Sequence, residues 1–199
     1  MEQKGFCVWF IGLPFSGKKQ LASMLSAKLE SLGFHNEILE GGKIRREFEQ
    51  DLGFTKQEIY KNIHRICFEC RMLTENNIVA IAVTISPYQD LRDQCRKEIM
   101  NFVEIYCTAP LDVLKKRDNK NFYKRAEEGK IHNVAGISAP FDEPVAPDVV
   151  FRLDEDSFEK GLENIIKALQ ARDLIPKKQK KILTDEEEKL IRQRIKNTR

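Results

Sequence analysis

The chain has 199 residues, 41% of them hydrophobic and 33% charged, and a formal net charge of +3. This balance is typical of a globular domain and excludes a disordered chain, and so small a charge gives no general attraction to nucleic acid or membrane. No apolar run approaches the roughly 18 residues of a transmembrane helix, and the first residues carry no signal-peptide pattern. We therefore expect a cytoplasmic protein that binds neither nucleic acid nor a membrane.

Short β-branched and aromatic runs alternate with helical patterns along the chain, which predicts βα units and a mainly parallel sheet. The first run is apolar throughout, as expected of a strand that is buried on both faces. Strands are predicted at 7–11, 36–40, 78–85, 103–107 and 149–153, and helices at 20–32, 43–52, 55–76, 90–101 and 158–171, with one more helix after Pro110. The predicted fold class is α/β, with helices on both faces of the sheet in three layers.

The longest predicted helix has a clear start signal. Thr55 and Glu58 have the spacing of a capping box, in which each side chain accepts a hydrogen bond from the other residue's backbone. Phe54 and Ile59 occupy the positions of a hydrophobic staple around that cap. The helix is predicted to run from this cap to about Asn76.

The segment from Gly12 to Lys18 has the G-x-x-x-x-G-K pattern of a Walker A loop, and it lies between a predicted strand and an amphipathic helix, as the motif requires. The two glycines let successive backbone N–H groups point at phosphate oxygens, and the helix adds the positive end of its dipole. Lys18 would reach the β- and γ-phosphates. The pattern predicts a P-loop NTPase fold that binds ATP.

The loop departs from this pattern at its end. Lys19 stands where Ser or Thr normally supplies a hydroxyl ligand to Mg²⁺, and Gln20 does not obviously replace it. An ammonium group at this place competes with a divalent cation. Three outcomes stay open: other groups hold Mg²⁺, Lys19 itself neutralises phosphate charge, or ATP turnover is slow.

The five cysteines are scattered along the chain, which is the pattern of reduced thiols in a reducing compartment. Cys67 and Cys70 have the spacing of a redox or zinc pair, with His64 three residues earlier. Because no second pair completes four ligands, we expect these thiols to pack as small apolar groups.

Two segments have no clear hydrophobic period. Residues 119–147 contain glycine, proline, asparagine and charged residues, and an irregular stretch of this length inside a domain is typical of an active-site lid. The domain is predicted to cover residues 1–172, followed by a charged tail at 173–199. A second capping box, Thr184 to Glu187, predicts a helix in this tail, which could clasp the domain, contact a subunit or extend into solvent.

Further motifs follow the loop at fixed places. They are Asp51–Phe54, Asn62–Ile66, Ile85–Tyr88 with Arg92 and Asp93, Arg117–Asp118, Tyr123–Lys124 and Gly136–Pro140. With the first strand and its loop, they occur in the order found in adenylylsulfate kinase, and the chain resembles that family from about Gly5 to Leu169. The family transfers the γ-phosphoryl group of MgATP to the ribose 3′-hydroxyl of adenosine 5′-phosphosulfate (APS). The resemblance implies this activity, with ATP and Mg²⁺ as cofactors and APS as partner, and it is compatible with a homodimer.

The resemblance also implies roles for individual residues. Cofactor-binding residues would be Gly12, Leu13, Pro14, Phe15, Ser16, Gly17, Lys18, Lys19, Gln20 and Arg117. Substrate-binding residues would be Arg45, Phe54, Asn62, Ile85, Ser86 and Lys124, with Phe54 stacked on the adenine. Catalytic residues would be Lys18, Glu40, Ser86 and Lys124, and no side chain is assigned as a metal ligand.

Several positions depart from the family pattern. Where the family has Asp-Gly-Asp-Asn, this chain has Glu40 to Lys43, so Gly42 lacks the carboxylate that would orient the acceptor hydroxyl or hold the metal. Ile59 and Gln89 replace arginines, and Val134 replaces a second aromatic. Two alternatives to the kinase therefore stay open: a kinase for another nucleotide-like acceptor, or a nucleotide-binding pseudokinase with a regulatory or scaffolding role.

Overall fold

A computed structural model describes residues 3–48 and 52–177 of the chain. The second capping box and most of the charged tail lie outside the described residues. No helix in the described ranges is long and apolar enough to cross a membrane.

Five parallel strands form one sheet in the order β2-β3-β1-β4-β5. Their bounds are β1 Cys7–Ile11, β2 Asn36–Glu40, β3 Val79–Val83, β4 Phe102–Thr108 and β5 Val149–Arg152. The chain builds one half of the sheet from β1 to β3 and then crosses to the other side of β1 for β4 and β5. This reversal opens a crevice at the carboxyl end of β1, which is where open α/β sheets bind ligands.

Helices cover both faces of the sheet, which confirms the predicted three-layer α/β fold. Their bounds are α1 Lys18–Ser31, α2 Gly41–Phe48, α3 Lys56–Glu75, α4 Gln89–Glu98, α5 Leu111–Arg117, α6 Phe122–Glu127 and α7 Phe158–Ala171. Alternate residues of β1 point to opposite faces. Val8 and Phe10 pack in the cluster that contains the apolar residues of α1 and α7, and Trp9 packs in the cluster that contains those of α3 and α4.

Two helices begin earlier than their sequence patterns predict. The pattern placed the start of α1 at Gln20, but Gly17 adopts the left-handed region as its N-cap (φ 86°), and the helix begins at Lys18. The second helix was predicted from Lys43, but it begins at Gly41. The sequence pattern missed its first two residues because both are glycines, which are poor helix formers. The predicted irregular stretch at 119–147 also contains a short helix, α6.

The capping box at the start of α3 is confirmed. The Thr55 hydroxyl accepts a hydrogen bond from the Glu58 backbone N–H at 3.4 Å, and the Glu58 carboxylate accepts one from the Thr55 N–H at 2.9 Å. This network holds the pKa of Glu58 at about 2, with the hydrogen bond from the Thr55 hydroxyl as its largest cause. The start of the helix that carries Asn62 is therefore fixed by local interactions.

The five cysteines are all buried and free, as expected for thiols that pack as apolar groups. Cys67 and Cys70 lie with Cys7 and Cys95 in the core cluster between the sheet and α3 and α4. In the described part of the chain, no group of three or more His, Cys, Asp or Glu residues is arranged to hold a metal ion. The Cys67-x-x-Cys70 spacing is thus a feature of core packing.

Candidate donor and acceptor site

The predicted phosphate loop lies at the carboxyl end of β1 and leads into α1. Gly12 has a φ of 134°, and a Cβ atom there would lie 2.0 Å from the carbonyl oxygen of Cys107. Glycine is therefore required at this turn for both conformation and space. The loop is held from the sheet side by a hydrogen bond from the Gly12 N–H to the Ile85 carbonyl at 3.5 Å.

Lys18 extends across the concave side of the loop. Its ammonium donates hydrogen bonds to the carbonyl oxygens of Gly12 at 2.7 Å and Leu13 at 2.6 Å, and to the Ser16 hydroxyl at 3.3 Å. The side chain is buried, and this burial lowers the pKa of Lys18 to about 8. A phosphate group in the loop would supply the negative charge that this buried cation lacks.

Lys19 forms an ion pair with Glu40 at the end of β2. The Lys19 side chain is 67% exposed and that of Glu40 is 29% exposed. The usual hydroxyl ligand of Mg²⁺ is therefore replaced by an ammonium group, and the nearby carboxylate is engaged with that ammonium. The residues at this position do not fit a Mg²⁺ ion bound in the ordinary Walker A manner.

Beside the loop lies a cavity of about 350 Å³ that collects most of the predicted substrate residues. Its mouth and walls come from the phosphate loop, α2, the start of α3, the segment after β3 and the lid. The lining residues are Pro14, Gly41, Gly42, Arg45, Arg46, Phe54, Ile59, Asn62, Thr84, Ile85, Ser86, Pro87, Phe122, Ile131, His132, Asn133, Val134 and Ala135. Because Pro14 belongs to both the loop and this cavity, the two half-sites share a wall.

Phe54 presents an exposed aromatic face to the cavity. Its side chain is 53% exposed, although large apolar side chains are usually buried. The guanidinium carbon of Arg45 lies 4.4 Å from the centre of the ring, a cation–π contact. This pair offers a flat apolar surface and a positive charge to one ligand, as a nucleotide with an acidic group would require.

Ser86 lies in the floor of the cavity and is almost fully buried. Its backbone has a φ of 42°, and its hydroxyl accepts a hydrogen bond from the Trp9 indole at 3.1 Å and lies 2.5 Å from the Thr84 hydroxyl. Arg92 donates a hydrogen bond to the Ser86 carbonyl at 2.7 Å. Since the hydroxyl already has two partners, the geometry favours a positioning role for Ser86 over direct proton transfer.

The predicted lid is docked on the phosphate loop. The Tyr123 hydroxyl donates a hydrogen bond to the Pro14 carbonyl at 2.8 Å, and the Phe15 ring lies 5.9 Å from the Tyr123 ring between centroids. Further along the lid, Gly136 packs so closely on Leu13 that a Cβ atom there would approach a Leu13 methyl group to 2.9 Å. The lid therefore covers the loop at two places.

The second half of the lid is fixed to the segment after β3. Asp142 donates its N–H to the Pro87 carbonyl at 2.7 Å and accepts a hydrogen bond from the Gln89 N–H at 3.1 Å. Arg92 adds a hydrogen bond to the Asp142 carbonyl at 2.8 Å. The contact of Gln89 with Asp142 uses its backbone N–H, while its side-chain oxygen accepts a hydrogen bond from the Val145 N–H of the lid at 3.4 Å.

Three predicted site residues, Glu40, Arg117 and Lys124, lie in neither the phosphate loop nor the lining of the acceptor cavity. Lys124 is exposed on α6, Arg117 is exposed at the end of α5, and Glu40 is held by Lys19. Their assigned roles stay predictions. Lys124 lies on α6, whose Tyr123 hydroxyl donates a hydrogen bond to the Pro14 carbonyl of the loop.

Several lining residues were not anticipated from the sequence. Phe122, His132 and Asn133 come from the lid, where the sequence has no period that assigns a side chain to a face. Arg46, on α2, also lines the cavity next to Arg45. A Cβ atom at Gly42 would make an ordinary van der Waals contact of 3.6 Å with an Arg46 guanidinium nitrogen.

Comparison with known proteins gives a consistent result. A family model described as Adenylylsulphate kinase matches residues 4–152. An adenylyl-sulfate kinase of Picosynechococcus is 38% identical over 169 residues, which cover 85% of this chain and 96% of the relative. A probable bifunctional SAT/APS kinase 2 of Sorangium cellulosum is 37% identical over 174 residues, which are 87% of this chain but only 30% of that relative. The structure of an APS kinase of Mycobacterium tuberculosis, in complex with AMPPNP and APS, superposes with a TM-score of 0.79 at 29% identity and covers 84% of this chain and 99% of that one.

Proposed function

Because the chain belongs to the adenylylsulphate kinase family, we propose that it transfers the γ-phosphoryl group of ATP to the 3′-hydroxyl of APS. The observation that carries this proposal is the shared wall between the phosphate loop and the acceptor cavity. An aligned transfer needs the two substrates to meet end to end, and positioning supplies much of the catalysis in phosphoryl transfer. Family membership favours this kinase over the two alternatives, another acceptor or a pseudokinase.

The donor half holds the phosphates of ATP. Backbone N–H groups of the loop, such as those of Phe15 and Gly17, and the ammonium of Lys18 face the β- and γ-phosphates, at the positive end of α1. The buried Lys18 ammonium neutralises charge that develops on the transferred group, and the lid excludes water from the loop. Lys124 and Arg117 approach the phosphates from the lid side.

The acceptor half orients APS. Phe54 stacks on the adenine, while Arg45 and Asn62 contact the phosphosulfate and the ribose. The acidic group of APS matches the positive charge of Arg45 and its neighbour Arg46, so charge and shape select an adenine nucleotide with an acidic 5′ group. Ile59 and Val134 make the remaining wall apolar.

The chemical step forms one bond and breaks one. The 3′-oxygen of APS bonds to the γ-phosphorus as the bond from that phosphorus to the β–γ bridging oxygen breaks, and ADP leaves. The hydroxyl proton passes to the Glu40 carboxylate or to water. Glu40 is available for this role only when Lys19 has moved off it.

Two features of the setting remain proposals. The chain works in a reducing compartment such as the cytoplasm, a proposal supported by its five free, buried thiols. It forms homo-oligomers, and the homodimer is the simplest of these. A hexameric APS kinase of Thiobacillus denitrificans, which is 26% identical with a TM-score of 0.66, is one structural neighbour that assembles.

Turnover tests the proposed function directly. The purified protein is incubated with MgATP and APS, and ADP and the 3′-phosphorylated product are measured together. Lys18→Ala is expected to lower the rate by at least about a hundredfold because it removes the cation at the transferred group. Lys28→Ala, a change of an exposed lysine near the far end of the same helix, is the matched control and is expected to have no effect. Binding of both nucleotides without product would contradict the kinase.

A further inference from the structure

Lys19 and Glu40 join two elements that meet at the donor site. Lys19 is in the first turn of α1, directly after the loop lysine, and Glu40 is the last residue of β2. Their ion pair lies at the end of the sheet where the phosphates bind. Lys19 stands where the Walker A pattern places the hydroxyl ligand of Mg²⁺, and Glu40 is two residues before Gly42, where the family pattern has the carboxylate that this chain lacks.

The first turn of α1 concentrates positive charge. Lys18 and Lys19 are adjacent, and the charge of Lys19 lowers the pKa of Lys18 in addition to the larger effect of burial. The helix has no acidic residue in its first turn. Two ammonium groups and a helix N-terminus at one place favour a ligand that carries several negative charges.

The ion pair is easy to exchange. Ion pairs at the protein surface contribute little to stability, and here the Lys19 side chain is 67% exposed and that of Glu40 29% exposed. A di- or triphosphate in the loop carries more negative charge than the single carboxylate of Glu40. The flexible stem of Lys19 lets its ammonium turn from one to the other.

We propose that the Lys19 ammonium supplies at the nucleotide phosphates the positive charge that a divalent cation supplies in other Walker A proteins, and that Glu40 holds this ammonium until a nucleotide binds. Nucleotide binding by this chain is therefore independent of Mg²⁺. The inference rests on the proposed function for the location of the nucleotide. It also gives the ion pair a second effect, since capture of Lys19 by phosphate frees the Glu40 carboxylate beside the acceptor.

The test measures ADP binding, because ADP fills the loop and is not turned over. Isothermal titration of the full chain in EDTA and in excess Mg²⁺ is expected to give dissociation constants within about threefold of each other. Lys19→Ala is expected to weaken binding in EDTA by about tenfold or more, and Glu40→Gln to tighten it by about threefold, because the competing carboxylate is neutralised. Lys28→Ala, on the same helix, is the control and leaves both values unchanged.

The opposite signs of the two variants separate this role from a structural one. A pair that only stabilised the fold would lower the melting temperature in both variants and move ADP affinity in the same direction. Tightening of wild-type binding by Mg²⁺ of more than about tenfold, or an unchanged affinity of Lys19→Ala in EDTA, overturns the inference. Lys19→Met keeps the apolar stem and serves as a second variant if the alanine protein is unstable.

The inference and the proposed function can fail separately. Metal-independent ADP binding without any APS phosphorylation would sink the kinase and leave the role of Lys19 intact. Conversely, phosphorylation of APS by a protein whose ADP binding requires Mg²⁺ would leave the kinase intact and sink the role of Lys19.

Discussion

The buried ammonium of Lys18 gives nucleotide binding a pH dependence whose sign follows from its pKa. Burial holds that pKa at about 8 in the empty loop, and bound phosphate raises it. Between these two values the complex holds more protons than the free protein. The affinity for ADP is thus expected to be level below about pH 7 and to fall above about pH 8, by up to about tenfold per pH unit.

Titration calorimetry between pH 7 and 9.5 checks this expectation. At pH 8.5 the binding heat should depend on the ionisation enthalpy of the buffer in the direction of proton uptake. Lys18→Met, which carries no titrating group, is the control, and its weaker binding should show no such slope. If the binding heat of Lys18→Met still depended on the ionisation enthalpy of the buffer, the proton uptake would belong to a group other than Lys18.

Gly42 is a second single residue, after Lys18, that is expected to affect the rate of phosphoryl transfer, because it lacks the carboxylate of the family pattern. A Cβ atom there would lie 3.6 Å from an Arg46 nitrogen, an ordinary van der Waals distance, so the position accepts the Cβ atom of a side chain. We expect the double change Lys19→Ser with Gly42→Asp to raise kcat with MgATP by about ten- to a hundredfold, because it restores a hydroxyl and a carboxylate near the phosphates. Steady-state rates with saturating APS measure this, with Lys19→Ser combined with Gly42→Asn as the control, because asparagine has nearly the size of aspartate without its charge. An unchanged kcat would contradict the placement of Gly42 at the reacting groups.

Sequence reasoning predicted a loop from Gly12 to Lys18 between a strand and a helix, which is where the loop lies. It also predicted acceptor roles for Arg45, Phe54 and Asn62; these residues line one cavity, and their roles stay predictions. It did not predict that His132 lines the acceptor cavity, because the lid sequence has no regular hydrophobic period that would show which side chains face the cavity. It also gave no sign that Lys19 pairs with Glu40, since that contact joins residues 21 positions apart through the sheet.

At the scale of elements, the cap of α3 links local stability to the acceptor cavity. Thr55 and Glu58 fix the first turn, and the same helix carries Asn62 into the cavity wall. Thr55→Ala is expected to lower the free energy of unfolding by about 1 kcal/mol, because the Glu58 backbone N–H loses its acceptor and the Glu58 carboxylate loses the hydroxyl donor. Urea denaturation measures the change, and Thr55→Ser, which keeps the hydroxyl, should recover most of it. Equal losses in both variants would show that packing of the methyl group, and not the cap, stabilises this turn.

The alternation of strand and helix patterns in the sequence predicted the order of the elements, but it did not predict all of their first and last residues. The last helix was predicted at the residues where it occurs, since Ser157 caps it and its apolar face is regular. The second helix began two residues early because its glycines hide the helical pattern. In α6, the turn is set by Asn121 in the left-handed region and by contacts of Tyr123 with the phosphate loop, which are tertiary interactions that a local pattern does not contain.

At the scale of the whole molecule, a chain of charged residues joins the lid to the last helix. Arg92 contacts Glu104 in the core, Arg96 bridges Glu104 to Asp148, and Arg172 pairs with Asp148 at the end of α7. Because Arg92 also bonds to the Asp142 carbonyl, the lid anchor and the far edge of the sheet share one network. The parallel sheet was predictable from the sequence, but this network and the strand order were not, because both depend on contacts distant in sequence.

The end of the domain gives the last prediction, in which two truncations differ by five residues. The sequence places the domain boundary at residue 172, whereas Leu174 and Ile175 are buried in the core with the apolar residues of α1 and α7. A chain that ends at residue 177 keeps both side chains and is expected to unfold at the same urea concentration as the full chain. A chain that ends at 172 retains Arg172 and its pair with Asp148 but loses about 1.5–3 kcal/mol for each buried side chain. Equal stability of both truncations would mean that the core ends with α7, and a loss already present in the chain ending at 177 would show that the tail contributes to the fold.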